Sequence, residues 1–502
     1  MSQRRSTLAA GRGSRTRNTE PDMTPLERYR DVIPDFEGFL QAVQRPEPRT
    51  LRVRTGRISQ ATLVGRLEEQ GFGVRPVPGL PDFLEITHQP FPVSESLEHW
   101  LGLFYIQQAV TGVAAPLLGP RPGERVLDLC AAPGGKTTHL ADLMADQGSI
   151  VAADVSEKRL RALLGNVYRT AHTNILALAA DGRRFPPGAT FDRILADVPC
   201  SGEGMARKKG GRVGRTSPAA LKRMTRSQEK LLRRAAELVR PGGEILYVTC
   251  TYAPEENEAV VSRVLSDTDL EVLPIELDVP HAAGLTRFED LVFDERLSGA
   301  ARIYPHHLDS GGLFLCHLRR PGNEAVTGWA PPPPAFPGQE IDAEEAEARI
   351  AGGLAYLVGD FGVPKERMDG ARWLVRGTNI WLHTQDAWPV ESLDPRGGWR
   401  VLSLGLRALS HDGRGVRPTT DLIRWLEGPS GPQALTLDRE GWLELLSGRT
   451  IDLAEGHPDG FVTLCLEEFG IGRGVIRDGR LVPEIPRKRG DWLRKVLERG
   501  RG

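Results

Sequence analysis

Val126-Leu127-Asp128-Leu129-Cys130-Ala131-Ala132-Pro133-Gly134-Gly135-Lys136-Thr137-Thr138 runs from an apolar stretch ending in an acid, through a loop of small residues, into the helical-looking His139-Leu140-Ala141-Asp142-Leu143. This is the pattern of a strand, a tight turn and a helix start. In an open α/β sheet the crevice beyond the strand's carboxyl end is where ligands bind, and glycines there let backbone amides approach a ligand closely. Two phosphate-binding motifs compete for the loop, and both fail on residue identity. A Walker A loop needs Gly where this chain has Cys130, and the dinucleotide fingerprint Gly-x-Gly-x-x-Gly is absent.

Acids recur where later strands should end. Ser149 to Ala153 leads to Asp154, Ile175 to Ala180 leads to Asp181, and Phe191 to Ala196 leads to Asp197. With Asp128, four strands would line one sheet edge with carboxylates. A single Asp at such a junction is expected to cap a helix, but four in register suit S-adenosylmethionine. One carboxylate can accept from both ribose hydroxyls, another from the adenine amine, and the sulfonium cation gains from nearby negative charge.

The segment Leu129 to Thr137, Asp197-Val198-Pro199-Cys200-Ser201-Gly202-Glu203-Gly204-Met205 and Val248-Thr249-Cys250-Thr251-Tyr252-Ala253-Pro254-Glu255-Glu256-Asn257-Glu258 together resemble the Nol/Nop/Sun family of RNA cytosine-5 methyltransferases. Within it the likeness is to the bacterial RsmF-like branch, which modifies 16S ribosomal RNA. The resemblance implies that Cys250 is the nucleophile, that Cys200 assists release, and that Asp197 meets the cytosine N3/N4 edge with Lys136 nearby. It also implies that Cys130, Ala131, Ala132, Pro133, Gly134, Gly135 and Lys136 cradle the methionine part of S-adenosylmethionine, that Asp154 takes the ribose and Asp181 the adenine, and that Arg159 and Asp197 also reach the cofactor. The chain departs from the family at Gln108, where an acid is common, and at Ala206, where an aromatic often follows Met205; the insertion after it holds no Trp.

The chemistry agrees with two cysteines. Carbon 5 of cytosine is a poor nucleophile until a thiolate adds at carbon 6 and makes the ring enamine-like. A second group must then remove the carbon 5 proton so that the enzyme can leave. A DNA cytosine-5 methyltransferase would need only the Pro-Cys motif at Cys200, so the additional Thr-Cys at Cys250 favours RNA. A tRNA substrate is the alternative to ribosomal RNA. A non-catalytic assembly factor would be expected to have lost Asp197 or Cys250.

Composition sets the remaining bounds. At 502 residues with 40% hydrophobic content, two to four domains are expected. A net charge of −1 excludes a uniformly basic coat, so RNA contact must be local. The run Arg207, Lys208, Lys209, Arg212, Arg215, Lys222, Arg223, Arg226, Lys230, Arg233 and Arg234, directly after the Cys200 loop, is placed to meet phosphates. Five cysteines without a Cys-x-x-Cys pair disfavour a zinc site or a disulfide framework and point to a reducing cytoplasm. No apolar run approaches the roughly 20 residues of a membrane helix, and neither a metal nor a membrane is expected.

The fold expected is α/β: a doubly wound, Rossmann-like methyltransferase sheet with a small N-terminal α+β module and a PUA-like, β-rich C-terminal region. The expected division is an Arg-rich tail (1–22), the N-terminal RNA-binding module (23–119), the methyltransferase domain (120–322), a Pro-rich linker (323–345), a middle segment (346–395), and a PUA-like RNA-binding domain with a basic tail (396–502). Leu103 to Gln108 reads as a helix leading into the catalytic domain, and Trp373, Trp388, Trp399 and Trp442 as core. A monomer is expected.

Overall fold

The computed structural model describes residues 24–185, 191–214, 216–322, 343–359, 361–384, 399–412, 415–426, 434–453, 457–485 and 487–499. The Arg-rich tail, nearly all of the Pro-rich linker, Arg215 and Trp388 lie outside the described residues.

The N-terminal module opens with a 3₁₀ turn, Thr24–Tyr29, followed by α1 (Phe36–Gln44), β1 (Arg49–Val53), α2 (Gln60–Glu68), β2 (Gly73–Val77), β3 (Leu80–His88), α3 (Leu97–Leu101) and β4 (Phe104–Ile106). Its strands form an antiparallel sheet in the order β2-β3-β1-β4. The helix expected over Leu103 to Gln108 is instead strand β4, with Phe104 opposite Val53 and Ile106 opposite Leu51. Gly102, at φ 74°, ends α3, and the aromatic and β-branched residues after it pack better on a pleated surface than on a helix.

The central α/β domain, expected to be catalytic, alternates α4 (Ala114–Leu118), β5 (Arg125–Asp128), α5 (Gly135–Leu143), β6 (Ser149–Asp154), α6 (Glu157–Thr170), β7 (Ile175–Ala179), β8 (Phe191–Asp197), α7 (Pro218–Leu238), β9 (Val239–Thr249) and α8 (Glu258–Leu265). The parallel strands lie in the order β9-β8-β5-β6-β7. Their apolar runs are buried on both faces, as a covered parallel sheet requires. One face packs against α4, α5 and α6 through Leu118, Leu140 and Leu163, and the other against α7 and α8 through Leu231, Leu238 and Val260. The doubly wound expectation holds. Leu313–Arg319 adds antiparallel to β9 on one side.

The other edge of this sheet is closed from the C-terminal region: Arg400–Leu404 pairs antiparallel with β7. The strands Ala371–Arg376, Asn379–Thr384, Leu406–Asp412 and Gly415–Pro418 form one sheet. The division expected between residues 395 and 396 therefore cuts through a sheet, because Asn379–Thr384 pairs with Leu406–Asp412. Such pairing is set by partners remote in sequence, so the local pattern cannot locate it. Beyond it a five-stranded sheet, Ala434–Thr436, Gly460–Leu466, Phe469–Arg477, Arg480–Pro483 and Ile451–Asp452, packs with helices Arg439–Leu446 and Arg487–Arg499. Trp442 is fully buried there and its indole N–H donates to the Cys465 carbonyl at 3.0 Å. This core is continuous with that of the N-terminal module, through Leu51, Trp100, Leu464 and Leu493. Among the described residues no helix is long and apolar enough to cross a membrane.

Candidate active site

The four strand-end acids and the two cysteines come to one edge of the parallel sheet. The β5–α5 loop is tied down by its neighbours: the Leu129 amide donates to Leu195 O at 3.0 Å and the Ala131 amide to Ala153 O at 2.9 Å. Gly134 turns the chain into α5 with φ 102°, a conformation that favours glycine. Asn166 of α6 supports the loop from outside, donating to Pro133 O at 3.1 Å and to the Tyr105 hydroxyl at 3.0 Å.

Asp128 is buried and accepts from the Thr137 hydroxyl at 2.8 Å through Oδ2. Its Oδ1 is buried without a hydrogen-bond partner among the described residues, and burial pushes the carboxyl up to about 7. Asp154, also buried, accepts from the Ser156 amide at 2.8 Å and the Ala132 amide at 3.3 Å, and pairs with Arg159 at 3.1 Å. Arg159 also donates to Ala132 O, so it braces both the acid and the loop. Asp181 caps the turn Gly182–Arg184, and the Arg183 guanidinium, at 2.7 Å, holds its carboxyl below the usual range. Asp181 thus caps a turn, whereas Asp154 holds the Ser156 amide and leaves the cap of α6 to Ser156 itself.

Lys136, the second residue of α5, pairs with Asp197 at 2.7 Å. Burial disfavours its ammonium, but the Asp197 carboxylate outweighs burial and raises its pKa. Cys130 sits in the same loop, where burial and the surrounding carboxylates push its thiol well up and disfavour a thiolate.

Cys200 follows β8 and Cys250 follows β9, adjacent parallel strands, so the loops emerge side by side. The two sulfurs are 3.3 Å apart, and the Cys250 amide reaches Cys200 Sγ at 3.3 Å. The hydrogen bond from Cys200 lowers the pKa of Cys250, while the same bond together with burial holds Cys200 well above the ordinary range. At this distance the proton of one thiol can stabilise the thiolate of the other. The Gly204 amide donates to Cys250 O at 2.9 Å, and a Cβ at Gly204 would lie 2.6 Å from Gly312 O, so no larger residue fits this approach.

Several supporting residues were not identified from sequence. Glu256 accepts from the Ser201 amide at 3.0 Å and from Gln228 at 2.9 Å, while Gln228 also donates to Pro199 O, fixing the Cys200 loop. Asn257 bridges Thr249 and Thr251 on either side of Cys250. Glu256 and Asn257 stand in a stretch already singled out, and two polar residues buried there are a usable signal; Gln228, in an ordinary amphipathic helix, offers none. The basic run divides. Arg207, expected to face phosphate, is 5% exposed; it donates to Arg45 O, Pro46 O and Ser310 O and pairs with Asp309 at 2.9 Å, clamping the N-terminal module to the catalytic domain. Lys208, Lys209, Arg212, Lys222, Arg223, Arg226 and Lys230 are exposed. Lys222, Arg226 and Lys230, four residues apart, share one face of α7.

A family model described as 16S rRNA methyltransferase RsmB/F matches residues 115–319. The Ribosomal RNA small subunit methyltransferase F of Shigella boydii is 30% identical over 483 residues, covering 91% of this chain and 96% of that protein. Its namesake in Cronobacter sakazakii is 31% identical over 479 residues, covering 92% and 95%. Among solved structures, a methyltransferase homolog protein from Pyrococcus horikoshii is 33% identical and covers 60% of this chain and 100% of its own, with a TM-score of 0.51.

Proposed function

The chain belongs to the 16S rRNA methyltransferase RsmB/F family, and on that footing we propose that it methylates carbon 5 of cytosine in 16S ribosomal RNA, with S-adenosylmethionine as donor and Cys250 as the attacking group. The names of its relatives, Ribosomal RNA small subunit methyltransferase F, support a small-subunit ribosomal RNA substrate. The observation that carries the chemistry is the thiol pair, delivered by the loops after two adjacent parallel strands with sulfurs 3.3 Å apart.

The residues fit the donor. Loop amides, a buried unpartnered carboxylate oxygen on Asp128, and acids at the ends of β6 and β7 offer partners for an ammonium group, ribose hydroxyls and an adenine amine. Bound S-adenosylmethionine supplies an electrophilic methyl group. Cys250 adds as thiolate to carbon 6, and the displaced ring electrons make carbon 5 nucleophilic. Asp197, fixed by Lys136, hydrogen-bonds the N3/N4 edge and favours the protonated ring. Once Cys250 is bonded to carbon, Cys200 no longer shares its proton with a thiolate. After losing that proton to solvent, it accepts the carbon 5 proton, and the electron pair released there expels Cys250 from carbon 6.

The test is a denaturing gel with labelled 16S RNA. Cys200→Ala should accumulate a covalent, donor-dependent protein–RNA band, because losing a positioned base slows release by roughly 10² to 10⁴. Cys250→Ala should form no band and transfer no methyl group. The reverse pattern would make Cys200 the nucleophile and overturn the assignment of roles.

A further inference from the structure

Each active-site cysteine is followed by a hydroxyl residue, Cys200 by Ser201 and Cys250 by Thr251. The two hydroxyls meet at 2.7 Å. Thr251 donates to Glu203 Oε2 at 3.2 Å, and Ser201 is thereby left to donate to Thr251. The same Glu203 oxygen accepts from the hydroxyl of Tyr29 at 2.8 Å, across 174 residues of sequence. Tyr29 is fully buried and belongs to the 3₁₀ turn Thr24–Tyr29, outside the methyltransferase fold. Its ring packs edge-on to Tyr252 at 6.2 Å, and its neighbour Arg28 pairs with Glu255 at 2.5 Å. The Gly204 amide on Cys250 O fastens the same short segment to the second cysteine loop.

We propose that Glu203, anchored by Tyr29, is a positioning residue: through the hydroxyls of Thr251 and Ser201 it holds the loops of Cys250 and Cys200 so that their sulfurs stay in hydrogen-bonding contact. The proposal rests on the two-thiol reading above. It gives the N-terminal module a part in the chemistry, since the anchor of the chain comes from that module. A carboxylate suits the task because it accepts several hydrogen bonds at once, and its two donors, Tyr29 and Thr251, are themselves buried away from water. The groups facing Cys250 are Cys200, Asp197 and Lys136; those facing Glu203 are Tyr29, Glu256, Thr251 and Arg28.

The experiment measures iodoacetamide alkylation of Cys250 against pH in the full-length protein, with the modified peptide identified by mass spectrometry. Without Glu203 the loops relax and the Cys200–Cys250 hydrogen bond lengthens. Glu203→Ala should then move the midpoint for Cys250 upward by about one pH unit and slow alkylation at pH 7 about tenfold. Glu203→Gln keeps an acceptor of the same shape and should recover most of the loss. Tyr29→Phe keeps the ring packing but removes the donor, and should shift the midpoint in the same direction by less. S-adenosylmethionine affinity, measured by calorimetry, should be unchanged in all three. An unmoved midpoint in Glu203→Ala with cofactor binding intact overturns the proposal. If that variant does not bind cofactor, an unmoved midpoint in Tyr29→Phe overturns it instead. Alkylation reads the thiol whatever reaction it serves, whereas absence of an RNA adduct in the Cys200→Ala protein would overturn the nucleophile reading, so the two failures are distinguishable.

Discussion

Asp142→Asn tests how the N-terminal module is joined to the catalytic domain. Asp142 lies on α5, about two turns past the β5–α5 loop, and its carboxylate pairs with Arg52 of β1 and, at 2.9 Å, with Arg54 just beyond it. The two arginines are 1% and 4% exposed at their side chains and the acid 17%, so solvent screens little of the interaction. Removing the acid of a buried pair costs about 3–5 kcal/mol because uncompensated charge remains. Here Arg52 retains Gln107 and Thr138, and Arg54 retains Thr170 O, which places the cost near the lower end, about 3 kcal/mol. At roughly 2–4 °C per kcal/mol for units of this size, the melting temperature at pH 7 should fall by about 6–12 °C. The pH dependence supplies a second readout. Burial alone would raise the Asp142 pKa, but Arg54 and Arg52 outweigh it and hold the carboxyl well below its usual value. A depressed acid contributes its full stability above the unfolded-state value, near 4, and loses it as pH falls below that. Calorimetry should therefore show the gap between wild type and variant narrowing from about pH 5 toward pH 3. A melting temperature unchanged at pH 7, or a gap independent of pH, would refute the argument that this ion pair joins the two units.

Three further outcomes follow from the site. Asp181→Ala should weaken S-adenosylmethionine binding about ten- to a hundredfold, the equivalent of one charge-assisted hydrogen bond, and calorimetry with unchanged affinity in the folded variant would remove Asp181 from the site. Replacing Lys222, Arg226 and Lys230 together by Ala should reduce the slope of log RNA affinity against log salt by about 0.7–0.9 for each phosphate these side chains neutralise; an unchanged slope would make this face of α7 merely solvated. Cys200→Ala removes the hydrogen-bond partner that lowers the Cys250 pKa, so the pH midpoint for alkylation of Cys250 should rise toward that of an ordinary thiol, and a midpoint that stays low would assign the depression to another group.

What the sequence by itself determined was local. The apolar runs leading to Asp128, Asp154, Asp181 and Asp197 specify strands, because a parallel strand buried on both faces leaves a nearly continuous hydrophobic signature that stops at or just before the acid. The segments at Cys200 and Cys250 were likewise picked out by residue type over a few neighbours, and the structure brings their sulfurs to 3.3 Å. Tertiary structure alone decided which arginine of the basic run is buried. Arg207 and Arg212 look alike in sequence, yet one is clamped between two domains and the other is exposed. It decided that Phe104–Ile106 is a strand, because β1 offers an edge to pair with, and that Arg400–Leu404 completes the catalytic sheet at β7. It also decided that Tyr29 reaches Glu203. Periodicity records which face of an element is apolar, a property of residues a few positions apart. The partner that face or edge meets is selected by packing and hydrogen bonding across tens to hundreds of residues, where the sequence carries no local mark.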